Sequence, residues 1–258
     1  MPQTARFSAY LLVSLLFSLL ISCTGTGQSP PVITPRFIAT LPHDTTCFTQ
    51  GFFYDRGKLF ESDGLYGNSH MRILDAQGGA AIKGVAVDPR YFAEGCAKMG
   101  DAVVQITWRE QTAFCYSLVD LAARHALMYS GEGWGLTSDG TRFYMSTGSD
   151  TIFVRSADFA LERTIPVTLS GRPILRLNEL EFARGKLYAN VWYSDSILEI
   201  SPATGRVVRI IDCRELVRRE APSSDECVLN GIAFDSETGR FYLTGKKWKK
   251  IFVVEIGK

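Results

Sequence analysis

Two series of polar and aromatic residues recur along this chain at near-constant intervals, and their types suit proton transfer and the holding of a small polar group. The first is Gln50, Glu94, Trp134, Asn178 and Asn230, each opening an apolar stretch. The second is Glu61, Thr107 or Trp108, Ser146, Asn190 and Thr244, each breaking the apolar rule near the end of the next stretch. Glu61, Glu94 and Glu179 are the acidic candidates. Glu61 stands between Phe60 and a Ser-Asp-Gly-Leu-Tyr-Gly turn, where crowding aromatics would desolvate a carboxyl and raise its pKa towards that of an acid–base catalyst. Trp108, Trp134 and Trp192 fall at equivalent edges and would form an apolar cup with N–H handles. Lys246 follows Thr-Gly in the last repeat, at the same mouth.

Other chemistries lack their residues. His43, His70 and His125 are not spaced as zinc ligands, and no Cys-x-x-Cys pair is present. A nucleophilic serine elbow and a phosphate-cradling glycine loop are also missing. With 28 Lys plus Arg against 27 Asp plus Glu, the chain offers no basic stripe for nucleic acid.

The elements that must position these residues come in a repeat. A strand, a turn of Asp, Gly, Arg or Ser, and a second strand recur as TQGFFYDRGKLFES, EGCAKMGDAVVQITW, GWGLTSDGTRFYMSTG, LNELEFARGKLYANVW and LNGIAFDSETGRFYLTGK. Counting from Gln50, Gly95, Trp134, Asn178 and Asn230, the steps are 45, 39, 44 and 52 residues. A period of that length is the signature of propeller blades. The expected fold is all-β, a five-bladed β-propeller over residues 36–258. An open ring would leave a bare strand edge, so the segment Arg36–Leu41 is expected to close it by joining the C-terminal blade.

Residues 1–22 read as an export signal, because the apolar run Leu11–Ile21 is about half the length of a bilayer-crossing helix. Leu20-Ile21-Ser22-Cys23 resembles a bacterial lipobox, with Cys23 as the lipidated residue and residues 23–35 as a flexible tether. That places the protein in the periplasm or cell envelope, held at a membrane by lipid alone. Cys213 and Cys227 bracket a 13-residue charged insertion with a short helix expected at Arg218–Glu220. A disulfide between them would stabilise the loop by about 3 kcal/mol. Cys96 and Cys115 could also pair, and Cys47 could be a buried thiol.

The phrases FTQGF, LFESDGLYGNSHMR, GWGLTSDG, LNELE, YANVWYSD, LNGIAF and TGKKW, in this order from about Phe37 to Glu255, resemble the plant-type glutaminyl-peptide cyclotransferases, which include bacterial members. The resemblance implies a five-bladed propeller that converts an N-terminal glutamine of a peptide or protein to pyroglutamate with release of ammonia. It implies Glu61 as catalytic acid/base. Gln50, Asn178 and Lys246 become polar binding residues, and Trp108, Trp134 and Trp192 become walls around the substrate. No catalytic zinc or other cofactor is required, and some members hold a structural calcium in the channel. Asp63 replaces the family's usual threonine, and the second repeat, FAEGCAKMGDAVVQITW, is loose.

Two other readings fit the same residues. One is a non-enzymatic envelope lipoprotein that binds peptides at the propeller mouth. The other is a calcium-dependent lactonase-like hydrolase, for which Glu61, Asn178 and Asn230 would supply part of the metal cage.

Overall fold

The computed structural model describes residues 29–257. The repeats become five four-stranded antiparallel sheets. Their innermost strands are Thr49–Asp55, Ala93–Met99, Leu136–Ser138, Leu177–Ala183 and Leu229–Asp235. Each pairs with the next strand in sequence, so every blade is a meander running outward from the axis. The outer strand of blade 5 is Arg36–Pro42, antiparallel to Lys250–Glu255 with Leu41 opposite Ile251. The first long strand of the chain therefore completes the sheet made by its last residues. The inner and second strands are mostly buried and the outer strands mostly exposed, as in Ala81–Ala86 and Ala123–Met128. The apolar core is distributed between neighbouring blades, the largest part joining blades 4 and 5 around Tyr188, Phe241, Trp248 and Phe252.

Val32–Ile33, in the segment expected to be a tether, pairs in parallel with Ile210–Ile211 on the outside of blade 4. The two apolar residues find an open strand edge there, which extends the folded part N-terminally of Arg36. The insertion helix is longer than expected, Arg214–Glu220.

The disulfide expected between Cys213 and Cys227 is not formed, nor is one between Cys96 and Cys115; all five cysteines among the described residues are free and buried. Each thiol has separate surroundings. Cys213 Sγ approaches the Ile211 carbonyl at 3.8 Å, whereas Cys227 Sγ faces the Ser223 and Ser224 hydroxyls at 3.4 and 3.3 Å. Burial in the core between blades 4 and 5 holds the loop ends together instead. Cys23 and the expected signal at 1–22 lie outside the described residues. Among the described residues no helix is long and apolar enough to cross a membrane.

Two details of the inner strands shape the site. A Cβ added at Gly51 would lie 2.3 Å from the Cys96 nitrogen, and one at Gly95 2.3 Å from the Leu136 nitrogen. Only glycine lets these strands approach so closely around the axis. At the equivalent place in blade 4 stands Glu179, whose carboxylate reaches out to the Phe52 and Ile232 amides of blades 1 and 5. In blades 1, 2, 4 and 5 the pairing register shifts at the start of the inner strand, between Thr49 and Gly51, Ala93 and Cys96, Leu177 and Leu180, and Leu229 and Ile232. Such bulges re-aim a side chain. The first residues inside them are Gln50, Glu94, Asn178 and Asn230.

Candidate active site

A cavity of about 200 Å³ opens at one mouth of the ring and is lined by Phe48, Gln50, Phe92, Glu94, Trp108, Trp134, Asn178, Trp192 and Lys246. Every blade but none alone contributes to it: Gln50 from blade 1, Glu94 from blade 2, Trp134 from blade 3, Asn178 from blade 4 and Lys246 from blade 5. All six expected binding residues, Gln50, Trp108, Trp134, Asn178, Trp192 and Lys246, come together here. Inner-strand bulges deliver Gln50, Glu94 and Asn178. Trp108, Trp192 and Lys246 each sit one residue beyond the end of a second strand (Thr107, Val191, Gly245), where the chain rises over the inner strand and reaches the mouth.

Glu61 is not among the lining residues. It lies on the second strand of blade 1, opposite Phe52 of the inner strand, which stands between it and the axis. The reason is register. Asp63, Thr107, Val191 and Gly245 are the equivalent last residues of their strands, since they oppose Thr49, Ala93, Leu177 and Leu229. Asn190 and Thr244 are one residue before that end and Glu61 is two, so the expected equivalence slips by one residue in blade 1. A slip of one sends a side chain to the other face of a sheet. Glu61 is fully buried, and its Oε1 accepts hydrogen bonds from Thr49 Oγ1 at 2.7 Å and from His43 Nε2 at 2.8 Å. Burial would raise its pKa, but His43 overrides that and holds it below the usual carboxylate value, the reverse of the expected shift. Asp63 faces away, bound to Arg72 at 3.1 Å and to the His70 amide at 2.6 Å.

The carboxylate that does face the cavity is Glu94, 5 % exposed. Its Oε1 accepts a hydrogen bond from Gln50 Nε2 at 3.1 Å, and its Oε2 is buried without a partner. Burial pushes its pKa well above the ordinary carboxylate range, and Lys246 opposes that rise. Lys246 is pulled down to about 8 by burial, with Glu94 acting against the fall. The two groups sense each other without direct ion-pair contact; the ammonium lies 4.4 Å from the centre of the Phe48 ring. Asn178 Oδ1 is a second buried acceptor without a partner. Gln50 is braced from behind by Asn230 Nδ2, which also donates to the Thr49 carbonyl at 2.9 Å.

The aromatic walls are fixed by one carboxylate outside the cavity lining. Glu132 Oε2 accepts from Trp108 Nε1 at 2.9 Å and from Trp134 Nε1 at 3.2 Å, while its Oε1 accepts from Arg109 Nε at 3.1 Å. The Arg109 guanidinium stacks 3.7 Å over the Trp108 ring. Trp134 meets Trp192 edge to face at 5.5 Å. Glu132 belongs to neither recurring series, and no spacing in the sequence marks it. Trp248, by contrast, is fully buried core.

Two groups bear on metal binding. Glu179 and Glu181 are buried carboxylates on the innermost strand of blade 4. Both oxygens of each already accept hydrogen bonds, from the Phe52 and Ile232 amides and from the Phe234 amide and Thr137 hydroxyl. Oxygens faced by N–H and O–H donors do not make the cage of open oxygens that calcium takes. His43, Cys47 and Glu61 bring nitrogen, sulfur and oxygen within 4.8 Å of one another. Here His43 is bonded directly to Glu61, and the Arg72 guanidinium lies 2.9 Å from Cys47 Sγ, so the donor atoms of the cluster are already engaged with one another and with a cation. A groove of about 1260 Å³ at the opposite ends of the strands is lined by Arg184 and Arg209, whose guanidinium groups are occupied by carbonyls of Ile256, Gly239 and Gly257 and by Glu199.

The sequence and the fold are matched in known proteins. Residues 11–256 match the family described as glutamine cyclotransferase. The chain is 36 % identical over 229 residues to the glutaminyl-peptide cyclotransferase of Arabidopsis thaliana, covering 85 % of this chain and 70 % of that one. The crystal structure of Myxococcus xanthus glutaminyl cyclase superimposes with a TM-score of 0.83 at 37 % identity, over 88 % of this chain and 97 % of that one. A five-bladed ring, a cavity built from all its blades and a match over nearly the whole chain agree, and this protein belongs to the glutamine cyclotransferase family.

Proposed function

We propose that this protein is a glutaminyl-peptide cyclotransferase acting at the Glu94–Lys246 cavity, on peptides or proteins that begin with glutamine. The observation that carries the assignment to this cavity is the pair of buried, unpartnered acceptors, Glu94 Oε2 and Asn178 Oδ1, inside an aromatic cup of about 200 Å³. A buried acceptor without a partner costs about 1–3 kcal/mol. A ligand rich in N–H donors would remove that cost, and the α-amine and carboxamide of an N-terminal glutamine are such donors. The family membership supports this enzyme reading over a binding lipoprotein or a lactonase.

The reaction joins the substrate's α-nitrogen to its own side-chain carbonyl carbon and breaks that carbon's bond to the carboxamide nitrogen. Both groups belong to one residue, so no enzyme nucleophile is needed. Holding the glutamine folded supplies the proximity term. The role expected of Glu61 passes to Glu94. Its carboxylate takes a proton from the attacking amine as the ring closes. It then returns that proton to the departing nitrogen, which leaves as ammonia. A pKa raised by burial above the ordinary carboxylate range suits a group that must do both. The Lys246 ammonium and the Gln50 amide, both lining the cavity, would stabilise negative charge as it develops on the carbonyl oxygen. Trp108, Trp134 and Trp192 exclude water, which strengthens those interactions.

The proton shuttle is complete within these side chains, and we assign the reaction no cofactor. The test is ammonia release and pyroglutamate formation from a glutamine-initiated peptide, with and without a chelator. Release unaffected by chelation is expected. No release would leave the binding reading, and loss on chelation would leave a metal-dependent one.

Export and lipid anchoring rest on the apolar run Leu11–Ile21 and the lipobox-like Leu-Ile-Ser-Cys ending at Cys23. A Cys23→Ala variant expressed in a bacterium is expected to move from the membrane fraction to the soluble fraction. An unchanged distribution would remove Cys23 as the anchor.

A further inference from the structure

Glu61 and His43 form a fully buried pair that touches no part of the cavity, yet their contacts lead to it. His43 Nε2 meets Glu61 Oε1 at 2.8 Å, and His43 Nδ1 meets the Trp248 carbonyl oxygen at 2.9 Å. A carbonyl oxygen only accepts, so Nδ1 carries a proton. A carboxylate also only accepts, so Nε2 carries one as well. The ring is therefore an imidazolium. Burial alone would lower the His43 pKa, but Glu61 outweighs it and the net shift is upward. The titratable and charged groups around the pair are Asp44 and the neutral thiol of Cys47 on the adjoining segment and Asp63 and Arg72 on blade 1. Lys246, Lys247 and Lys249 lie on or beside the turn it grips.

That turn follows the strand Arg240–Gly245 and carries Lys246. The segment around His43 grips it repeatedly. The His43 amide donates to the Lys249 carbonyl at 2.9 Å, and the Cys47 carbonyl accepts the Lys247 amide at 2.7 Å. Lys247 adopts a positive φ of 57° there. The Lys246 side chain has the Phe48 ring as its neighbour and no direct ion pair with Glu94. Its position is thus inherited from the backbone of the turn.

We propose that Glu61, acting through His43, is a positioning residue that fixes the turn setting Lys246 beside Glu94. The inference rests on reading Glu94 and Lys246 as the reacting-site residues. It gives Glu61 a part in the reaction without contact with substrate.

A double-mutant cycle tests it, with Glu61→Ala, Lys246→Met and the double variant assayed on a glutamine-initiated peptide. Glu61→Ala is expected to lower kcat/KM by about 10- to 100-fold per folded molecule, as displacement of a catalytic group by about 1 Å can. It is also expected to move the acidic limb of the pH profile in the same direction as Lys246→Met does. In the Lys246→Met background, Glu61→Ala should cost no more than about twofold further, because the two act as one unit. Glu61→Gln should keep most activity, since a neutral His43 can accept from the new amide and still donate to Trp248. A lowered melting temperature with wild-type kinetic constants would reduce the pair to a structural role and overturn the proposal. Multiplicative losses in the cycle, with both singles impaired, would overturn it while leaving the site intact. Wild-type turnover in Lys246→Met would overturn the site reading itself and the inference with it. If Glu61→Ala does not fold, His43→Gln enters the same cycle in its place.

Discussion

Replacing Glu94 by glutamine is expected to lower kcat by about 10²- to 10⁴-fold, the contribution typical of a positioned general acid–base group. The change preserves shape and removes only the ability to take and return a proton. Gln50 Nε2 can still donate to the new amide oxygen, so the bulge between Ala93 and Cys96 keeps its hydrogen bond. The fold should not weaken, because an uncharged amide is easier to bury than a carboxylate whose pKa burial already drives upward. The measurement is steady-state kinetics on a glutamine-initiated peptide beside a melting curve. A kcat within about threefold of wild type in a folded variant would be too small for acid–base catalysis and would remove Glu94 from the role. The same substitution at Glu61 should leave turnover largely intact, which separates the two carboxylates directly.

Lys246→Met should reshape the pH dependence as well as lower the rate. With the ammonium in place, Glu94 is held below the value that burial alone would give it. Without the ammonium its pKa rises, so the carboxylate form needed to receive the proton appears only at higher pH. The acidic limb of kcat/KM therefore moves upward. Lys246 titrates at about 8, and loss of its charge should contribute an alkaline limb in the wild type that the variant lacks. The substrate's own amine titrates near pH 8 as well. It does so identically in both assays, so the difference between profiles belongs to the enzyme. Superimposable profiles would dissociate Lys246 from Glu94.

The stability consequence of the buried pair has a definite sign. The raised pKa of His43 contributes stability in full below its unfolded value of 6.5, and that contribution is lost as pH rises through the raised value. The lowered pKa of Glu61 contributes above its unfolded value of 4.5 and is lost as pH falls through the lowered one. The pair is therefore fully formed between these two titrations, with Glu61 ionised and His43 protonated.

Much of the architecture was legible because the repeat is physical. Each unit needs a polar residue at the axis, a turn at the far end and a return strand, and these recur in the chain. Gln50, Asn178 and Lys246 could be read as converging for that reason, and the three tryptophans with them. Glu61 stands outside that convergence because of register. Phrases such as FES and ANV align by eye, but only the pairing of Thr49 with Asp63 and of Leu177 with Val191 shows which positions correspond. Glu94 is legible as an acidic candidate, but its repeat is the loosest in spelling. Its bulge, which decides where it points, depends on pairing with Gln105 and Thr107 and not on local sequence. Val32–Ile33 looked like linker because two residues carry no periodicity; their partner is more than 170 residues away. Glu132 was invisible for the same reason, since its significance comes from two indoles brought to it by different blades.

The order in which the chain emerges during synthesis meets the geometry of blade 5. Among the described strands, Arg36–Pro42 is made before any blade, but its hydrogen-bonding partner, Lys250–Glu255, comes after all the others. Until then both edges are bare, and pairings so distant in sequence form slowly because loop closure must precede them. The molecule cannot be finished blade by blade as it leaves the ribosome. Its latch, and with it the grip of His43 on the Lys246 turn, waits for the strand Lys250–Glu255. A nascent or truncated form would be catalytically silent and would invite holdase chaperones to its unsealed rim.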